Sequence, residues 1–528
     1  MTSYAYDEVG RVRFETVTLV AGPTLVTEYR YDADGNADIV VYPSGLVVKL
    51  ERDLATGRVS AVRDLSTGAA LASGVEYLPG GPIERLVYGN GTSLTRTYDL
   101  RYQPLGIQSG PVALAYVPTL AGDVATITSE FGEERFGYDF ADRLVTRKTT
   151  TGIRSEPLAF VYAGDRLTQA FPSGSTVPQF AFGYDDQSNV SAVSRYDDGG
   201  AALASTLCLV HDALGRLVLA GYAAPGSGGP DVLACRSEAD VHEVIARFTY
   251  DALGRRVSRK DADGRWTYFT FDLEGNPSSE VLISGDGLAP ARDYVFLDGG
   301  PLVQLEYPGP TPSGGAPYFF HVDHLNRPRA LTSASGQVVW KSNVLPSGEG
   351  IEQIEPDSAS GRVVVTNLRL PGQYDERLLG SLGLQGPYYN WNRWYLPSVG
   401  RYMELDPIAL AGGFNTEFGV DWYNYAGGNP LSYTDPTGLS KYDKFFGLPK
   451  KFWNWYHRNV KKPGDLDLTR SDAEELFKEW ERLGKPGPDK KGWDDFWDFI
   501  IPFPPIFNIC EIAPETCKRM RDPCHGGA

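Results

Sequence analysis

The chain holds 528 residues, with 59 Gly, 37 Pro and 30 Tyr against 3 Met, and a formal net charge of −17. That acidity excludes a general nucleic-acid binder, which needs clustered Lys and Arg against phosphate, and 5 cysteines over this length exclude a disulfide scaffold. Many tight turns and aromatic strand positions are expected instead, the profile of a mainly β chain.

At the N-terminus, MTSYAYDEVGRVRF lacks a charged region followed by an apolar one, so no signal peptide is expected. No run of about eighteen apolar residues offers a membrane-spanning helix. The segment Tyr6-Asp7-Glu8-Val9-Gly10-Arg11-Val12 recurs at Tyr31-Asp32, Tyr138-Asp139 and Tyr184-Asp185. Its clearest copies are His211-Asp212-Ala213-Leu214-Gly215-Arg216 and Tyr250-Asp251-Ala252-Leu253-Gly254-Arg255, with looser ones at Arg52-Asp53 and Phe271-Asp272.

The unit reads as a hairpin. An aromatic residue ends one strand, the Asp carboxylate caps amides of the turn, and Gly takes the positive φ. Arg or Asn and an alternating apolar stretch such as Leu217-Val218-Leu219 then open the return strand. One hairpin is marginal in water, whereas stacked neighbours share a buried face and cover one another's edges. Each Tyr-Asp pair is therefore a packing and turn device. Tyr88-Gly89-Asn90-Gly91-Thr92 is a hairpin turn and not a phosphate loop, and 223–230 is a surface loop.

Beyond the repeats, Tyr318-Phe319-Phe320-His321-Val322-Asp323-His324-Leu325-Asn326-Arg327-Pro328 opens a different run of motifs. Strand alternation sets His321 and His324 on opposite faces, so a structural role is read for both, and no metal or cofactor is expected. Asn367-Leu368-Arg369-Leu370-Pro371-Gly372-Gln373-Tyr374-Asp375, Tyr388-Tyr389-Asn390 and Arg393-Trp394-Tyr395 follow. Gly400-Arg401-Tyr402, Asp406-Pro407-Ile408 and Asn429-Pro430-Leu431 lead to Asp435-Pro436-Thr437-Gly438-Leu439.

Texture changes at residue 440. Ser471-Asp472-Ala473-Glu474 is a capping box ahead of Leu476, Phe477, Trp480 and Leu483, which predicts a short helix in a small, mainly α module. Residues 441–462 interleave Lys and Arg with Phe, Trp and Tyr. An amphipathic helix packed on its own domain is the favoured reading, and nucleic-acid or membrane contact is expected nowhere outside this stretch. Cys510, Cys517 and Cys524 leave one thiol over if two pair.

The repeats and the 318–439 motifs together resemble the Rhs/YD-repeat family, which includes bacterial Rhs toxins, the C subunits of insecticidal Tc toxins and, more distantly, the teneurins. Asn326 stands where the family usually has Gly, Ala409 departs from the usual Ile-Gly-Leu, and Thr416 to Trp422 looks inserted.

The resemblance implies a YD-repeat β-shell over 1–317 that spirals into a cocoon, an Rhs-associated core or plug over 318–439, and a variable effector over 440–528. It also implies that the plug cuts the chain between Leu439 and Ser440, with Asp406 and Asp435 as an aspartate pair and Arg401 beside them. Two close carboxylates can divide acid and base duties, and an Arg can steady developing negative charge.

The implied protein is a bacterial polymorphic toxin or toxin carrier, cytoplasmic before a delivery that reads no signal peptide. Its partners are the effector inside the shell, a cognate immunity protein, and a secretion apparatus or shell-completing subunit. The alternatives are a cell-surface protein that binds carbohydrate or protein, and an inert orphan fragment.

Overall fold

The computed structural model describes residues 1–439 apart from 19–23, 80, 150–157, 198–202, 225–234, 285–286, 310–313 and 408–420. Ser440, the basic stretch 441–462, the helix expected after Ser471 and the three C-terminal cysteines lie outside the described residues, as do most of the 223–230 loop and of the 416–422 insertion. The chain divides into two units, Met1–Gly447 and Leu448–Ala528, and everything below concerns the first.

Each Tyr-Asp copy builds the same joint. The ladder slips by one residue just before the aromatic position, at Val210/His211, Thr249/Tyr250 and further hairpins, among them Arg30/Tyr31, Glu51/Arg52 and His321/Val322. That bulge turns the Asp carboxylate into the turn. Asp212 Oδ1 accepts the amides of Leu214 (2.9 Å) and Arg216 (3.0 Å), and Gly215 donates to the Asp212 carbonyl with φ +73°. Asp323 repeats the pattern with Leu325 (2.9 Å) and Arg327 (3.1 Å), and Asn326 takes the glycine position at φ +63°. Asn is the residue that bears a left-handed φ most readily after Gly, which explains the departure.

The aromatic residue has its own task. Tyr31, Tyr138, Tyr184 and Tyr250 donate their hydroxyls to the carbonyls of Val12, Val124, Leu167 and Leu217, at or next to the start of the preceding hairpin's return strand, over 2.6–2.9 Å. The repeat Arg adds a second tie, Arg11 lying 4.3 Å over Tyr31 and Arg216 4.9 Å over Tyr250. The pair thus couples each hairpin to its predecessor.

The outcome is an antiparallel meander in strict sequence order: a 14-stranded sheet from Thr2 to Thr149, a 16-stranded sheet from Leu158 to Ile354, and a 4-stranded sheet from Tyr374 to Tyr402. The strand Ala316–Val322 carries the second sheet across residue 317 without a break. The first sheet lays Val48, Val62 and Leu114 against Val295, Val303 and Phe319 of the second. The earlier part of the second sheet buries Leu207, Phe248 and Phe269 under Leu379, Trp394 and Met403 of the segment that follows Ile354. These apolar faces supply the main stabilisation, at about 25 cal/mol per Å².

Polar ties fix the layers in register. His321 bonds Ser109 (2.9 Å) in the first sheet and Thr332 (2.8 Å) in its own, and His324 bonds Tyr116 (3.1 Å) and the Leu431 carbonyl (2.8 Å). Both rings are structural ties. Arg256, 1% exposed, pairs with Glu376 of the segment that follows Ile354 and sits 3.8 Å over Phe269 and 4.9 Å over both Tyr374 and Tyr389. Cys208 and Cys235 form a disulfide with Cα atoms 5.4 Å apart, so the sparse cysteines still supply one staple.

Candidate functional site

The small third sheet is the scaffold of the site. Its strands Tyr388–Asn390 and Arg393–Leu396 form a hairpin, and Arg401–Tyr402 adds to the second of these. Tyr388, Tyr395, Tyr402 and Tyr425 pack as one buried aromatic cluster behind it, which leaves little rotamer freedom at the site. Arg393 emerges from this hairpin with its side chain 2% exposed and its guanidinium 3.6 Å above the Tyr402 ring.

Two carboxylates that are 29 residues apart in sequence meet on that guanidinium. Arg393 Nη2 lies 3.1 Å from Asp406 Oδ2 and 3.2 Å from Asp435 Oδ2. A cation in contact with both offsets their mutual repulsion, which is strong in a water-poor site. Tyr402 donates its hydroxyl to Asp435 Oδ2 (2.7 Å); burial and the Asp435 carboxylate push that phenol well above its ordinary value, so it serves as a neutral donor.

The end of the described chain runs through this cluster. Asp435 Oδ1 accepts the Leu439 amide (3.0 Å), and Arg393 Nε donates to the Gly438 carbonyl (2.6 Å). Asp406 and Asp435 are thus brought together next to half-buried Leu439. Arg401 is placed elsewhere: it bonds Asp421 (2.6 Å) and stacks near Tyr162 and Tyr423 at 5.1 and 5.5 Å. The arginine in contact with both carboxylates is Arg393, which sequence reasoning quoted within Arg393-Trp394-Tyr395 but gave no role. The signal was present, since a strand-borne Arg amid aromatic residues is suited to a buried ion pair.

Comparison with known proteins agrees with this architecture. Residues 318–353 match the family model described as RHS protein. Tse5, a toxin protein of Pseudomonas aeruginosa, is 26% identical over 510 residues, which span 83% of this chain and 36% of Tse5. Double-stranded DNA deaminase toxin A of Burkholderia cenocepacia is 28% identical over 370 residues, 64% of this chain and 23% of that protein. The chain is similar to Rhs/YD-repeat toxins in both sequence and family motif. Among solved structures, the Photorhabdus luminescens Tc holotoxin pore shares this fold at TM-score 0.55 and 15% identity, over 82% of this chain and 23% of its own. The crystal structure of TcdB2-TccC3-TEV gives TM-score 0.56 over the same shares. This chain spans roughly a quarter to a third of the length of the two toxin relatives.

Proposed function

We propose that this chain is the shell-and-plug portion of a polymorphic toxin, and that its plug hydrolyses the Leu439–Ser440 bond to free the 440–528 effector. The observation that carries the reading is the meeting of Asp406 and Asp435 on Arg393, with the Leu439 amide held by Asp435 itself.

In this mechanism Asp406 takes a proton from water, whose oxygen adds to the Leu439 carbonyl carbon. Asp435 orients the residue through its amide, and Arg393 supplies positive charge beside the developing oxyanion. The C–N bond to Ser440 then breaks, and the proton held by Asp406 passes to the departing amine. The wider setting proposed with it is an effector enclosed by the shell, a cognate immunity protein, and a secretion apparatus or shell-completing subunit; that two relatives are themselves toxins supports the toxin part of this reading.

Intact-mass measurement on the purified chain tests the reading. A break after Leu439 is expected in the wild type and absent in Asp406→Asn and Asp435→Asn. A wild-type chain that stays whole overturns it.

A further inference from the structure

The hairpin turn that carries Arg393 also holds the chain leading to Leu439. Asn390 Nδ2 donates to the Asp435 carbonyl (2.8 Å), Asn392 Nδ2 to the Thr437 carbonyl (3.0 Å), and Arg393 Nε to the Gly438 carbonyl (2.6 Å). The Asn392 backbone amide reaches the Thr437 carbonyl as well (3.3 Å). Three carbonyls of one short stretch are thus taken by donors from a single turn.

A second wall closes on the same stretch. A Cβ added at Gly372, where φ is +80°, would lie 1.9 Å from the Pro436 carbonyl oxygen. One added at Gly438, where φ is +71°, would lie 2.6 Å from the Asn390 carbonyl oxygen. Backbone meets backbone at both points, so neither contact can be relieved by a side-chain rotation.

We propose that Asn390, Asn392 and Gly372 form a strand clamp that presents 435–439 to the aspartate pair, reading the main chain and tolerating no side chain at position 438. The proposal rests on the cleavage reading above and names its positioning residues. Its physical basis is orientation: Asp435 alone fixes Leu439 at one amide, whereas the clamp fixes the three residues before it, and a displacement of one ångström is enough to lose productive alignment. Asn392 is exposed, so its loss removes a donor without opening the core.

The test follows appearance of the 1–439 product over time, with melting temperature as the control for folding. Asn392→Ala and Asn392→Asp, the latter matched in shape but without the donor, are expected to slow cleavage about tenfold, the scale of one lost hydrogen bond, at unchanged melting temperature. Asn392→Gln restores a donor and is expected to recover most of the rate, and Gly372→Ala is expected to stop the reaction.

A second arm uses the Asp406→Asn chain, which stays whole, and reads amide hydrogen exchange over 437–439. Adding Asn392→Ala is expected to raise exchange there. Wild-type rates in both Asn392→Ala and Asn392→Asp, or unchanged exchange in the second arm, overturn the clamp. A wild-type chain that never cleaves overturns the cleavage reading instead, and the exchange arm then decides the clamp alone.

Discussion

Asp435 accepts the Leu439 amide hydrogen on Oδ1 at 3.0 Å while its other oxygen faces Tyr402 and Arg393. One side chain therefore touches both Leu439, whose bond the proposed reaction breaks, and the charge cluster beside it. Replacing Asp435 by Asn keeps the shape but withdraws a carboxylate oxygen from one of these two contacts. Self-cleavage is expected to fall by at least about a hundredfold, the scale of lost alignment at a reacting bond, and Asp406→Asn, which removes the acid–base group, is expected to fall as far. Time courses of intact mass check both, and retention of the wild-type rate in either variant would sink the assignment.

The two arginines eight positions apart should separate cleanly. Arg393→Lys keeps a charge but cannot span Asp406, Asp435 and the Gly438 carbonyl at once, because an ammonium lacks the planar fork. Cleavage is expected to slow roughly tenfold or more, with folding intact. Arg401→Ala releases Asp421 and two tyrosine contacts and is expected to leave the rate within a factor of about three, as a surface ion pair contributes little. Equal damage from both variants would refute the distinction.

The segment after Ile354 should be locked to the second sheet by Arg256 and Glu376. Burial pulls the Arg256 guanidinium down to about 10, the direction expected of a cation held away from water. Glu376→Gln leaves that cation among Phe269, Tyr374 and Tyr389 and is expected to cost about 3–5 kcal/mol. Arg256→Met together with Glu376→Gln, which removes both charges, is expected to cost less than Glu376→Gln alone. Urea midpoints with a shared slope decide between these orders.

What the sequence disclosed tracks how local the physics is. The hairpins were legible because Asp212 and its turn amides lie within four residues of each other, so spacing alone carries the bond pattern. The role of the repeat tyrosine was not, since Tyr250 bonds a carbonyl 33 residues upstream and only the stacking of hairpins brings them together. The aspartates could be named through family motifs, but choosing between Arg393 and Arg401 required knowing that one reaches Asp406 and Asp435 and the other Asp421. The count of cysteines argued against a disulfide scaffold but said nothing of a single bond; pairing depends on proximity in space, and Cys208 and Cys235 have it.

That disulfide closes a separation of 27 residues, so its loss should be felt mainly in the unfolded chain. The chain-entropy relation gives about 3.5 kcal/mol for a loop of that size. Cys208→Ser with Cys235→Ser is expected to lower the denaturation midpoint accordingly, and reducing agent should do the same to the wild type only. An unchanged midpoint in reduced wild type would show that the bond contributes nothing to stability.

Acid should weaken the joint between the sheets through His321. Burial pulls its ring down to about 3, and Ser109 and Thr332 occupy its two nitrogens. An unfolded histidine titrates near 6.5, so the unfolded chain takes up the proton first. The stability present above pH 6.5 then drains as pH falls toward 3, at up to about 1.4 kcal/mol per pH unit.

Two carboxyl groups elsewhere in the fold complicate the profile in known directions. Burial pushes the Asp323 carboxyl up, but Arg327, His324 and Arg329 outweigh it and hold it near about 2, so its contribution is lost only below pH 3.8. Burial and Glu274 raise Asp272 to about 6, and that group gains stability as pH falls from 6 to 3.8, opposing His321. The difference between chains isolates the histidine. His321→Asn lowers stability at every pH by weakening the two ties, yet its midpoint should fall less steeply than that of the wild type between pH 6.5 and 4. Parallel profiles would mean that His321 is not the group whose protonation parts the sheets.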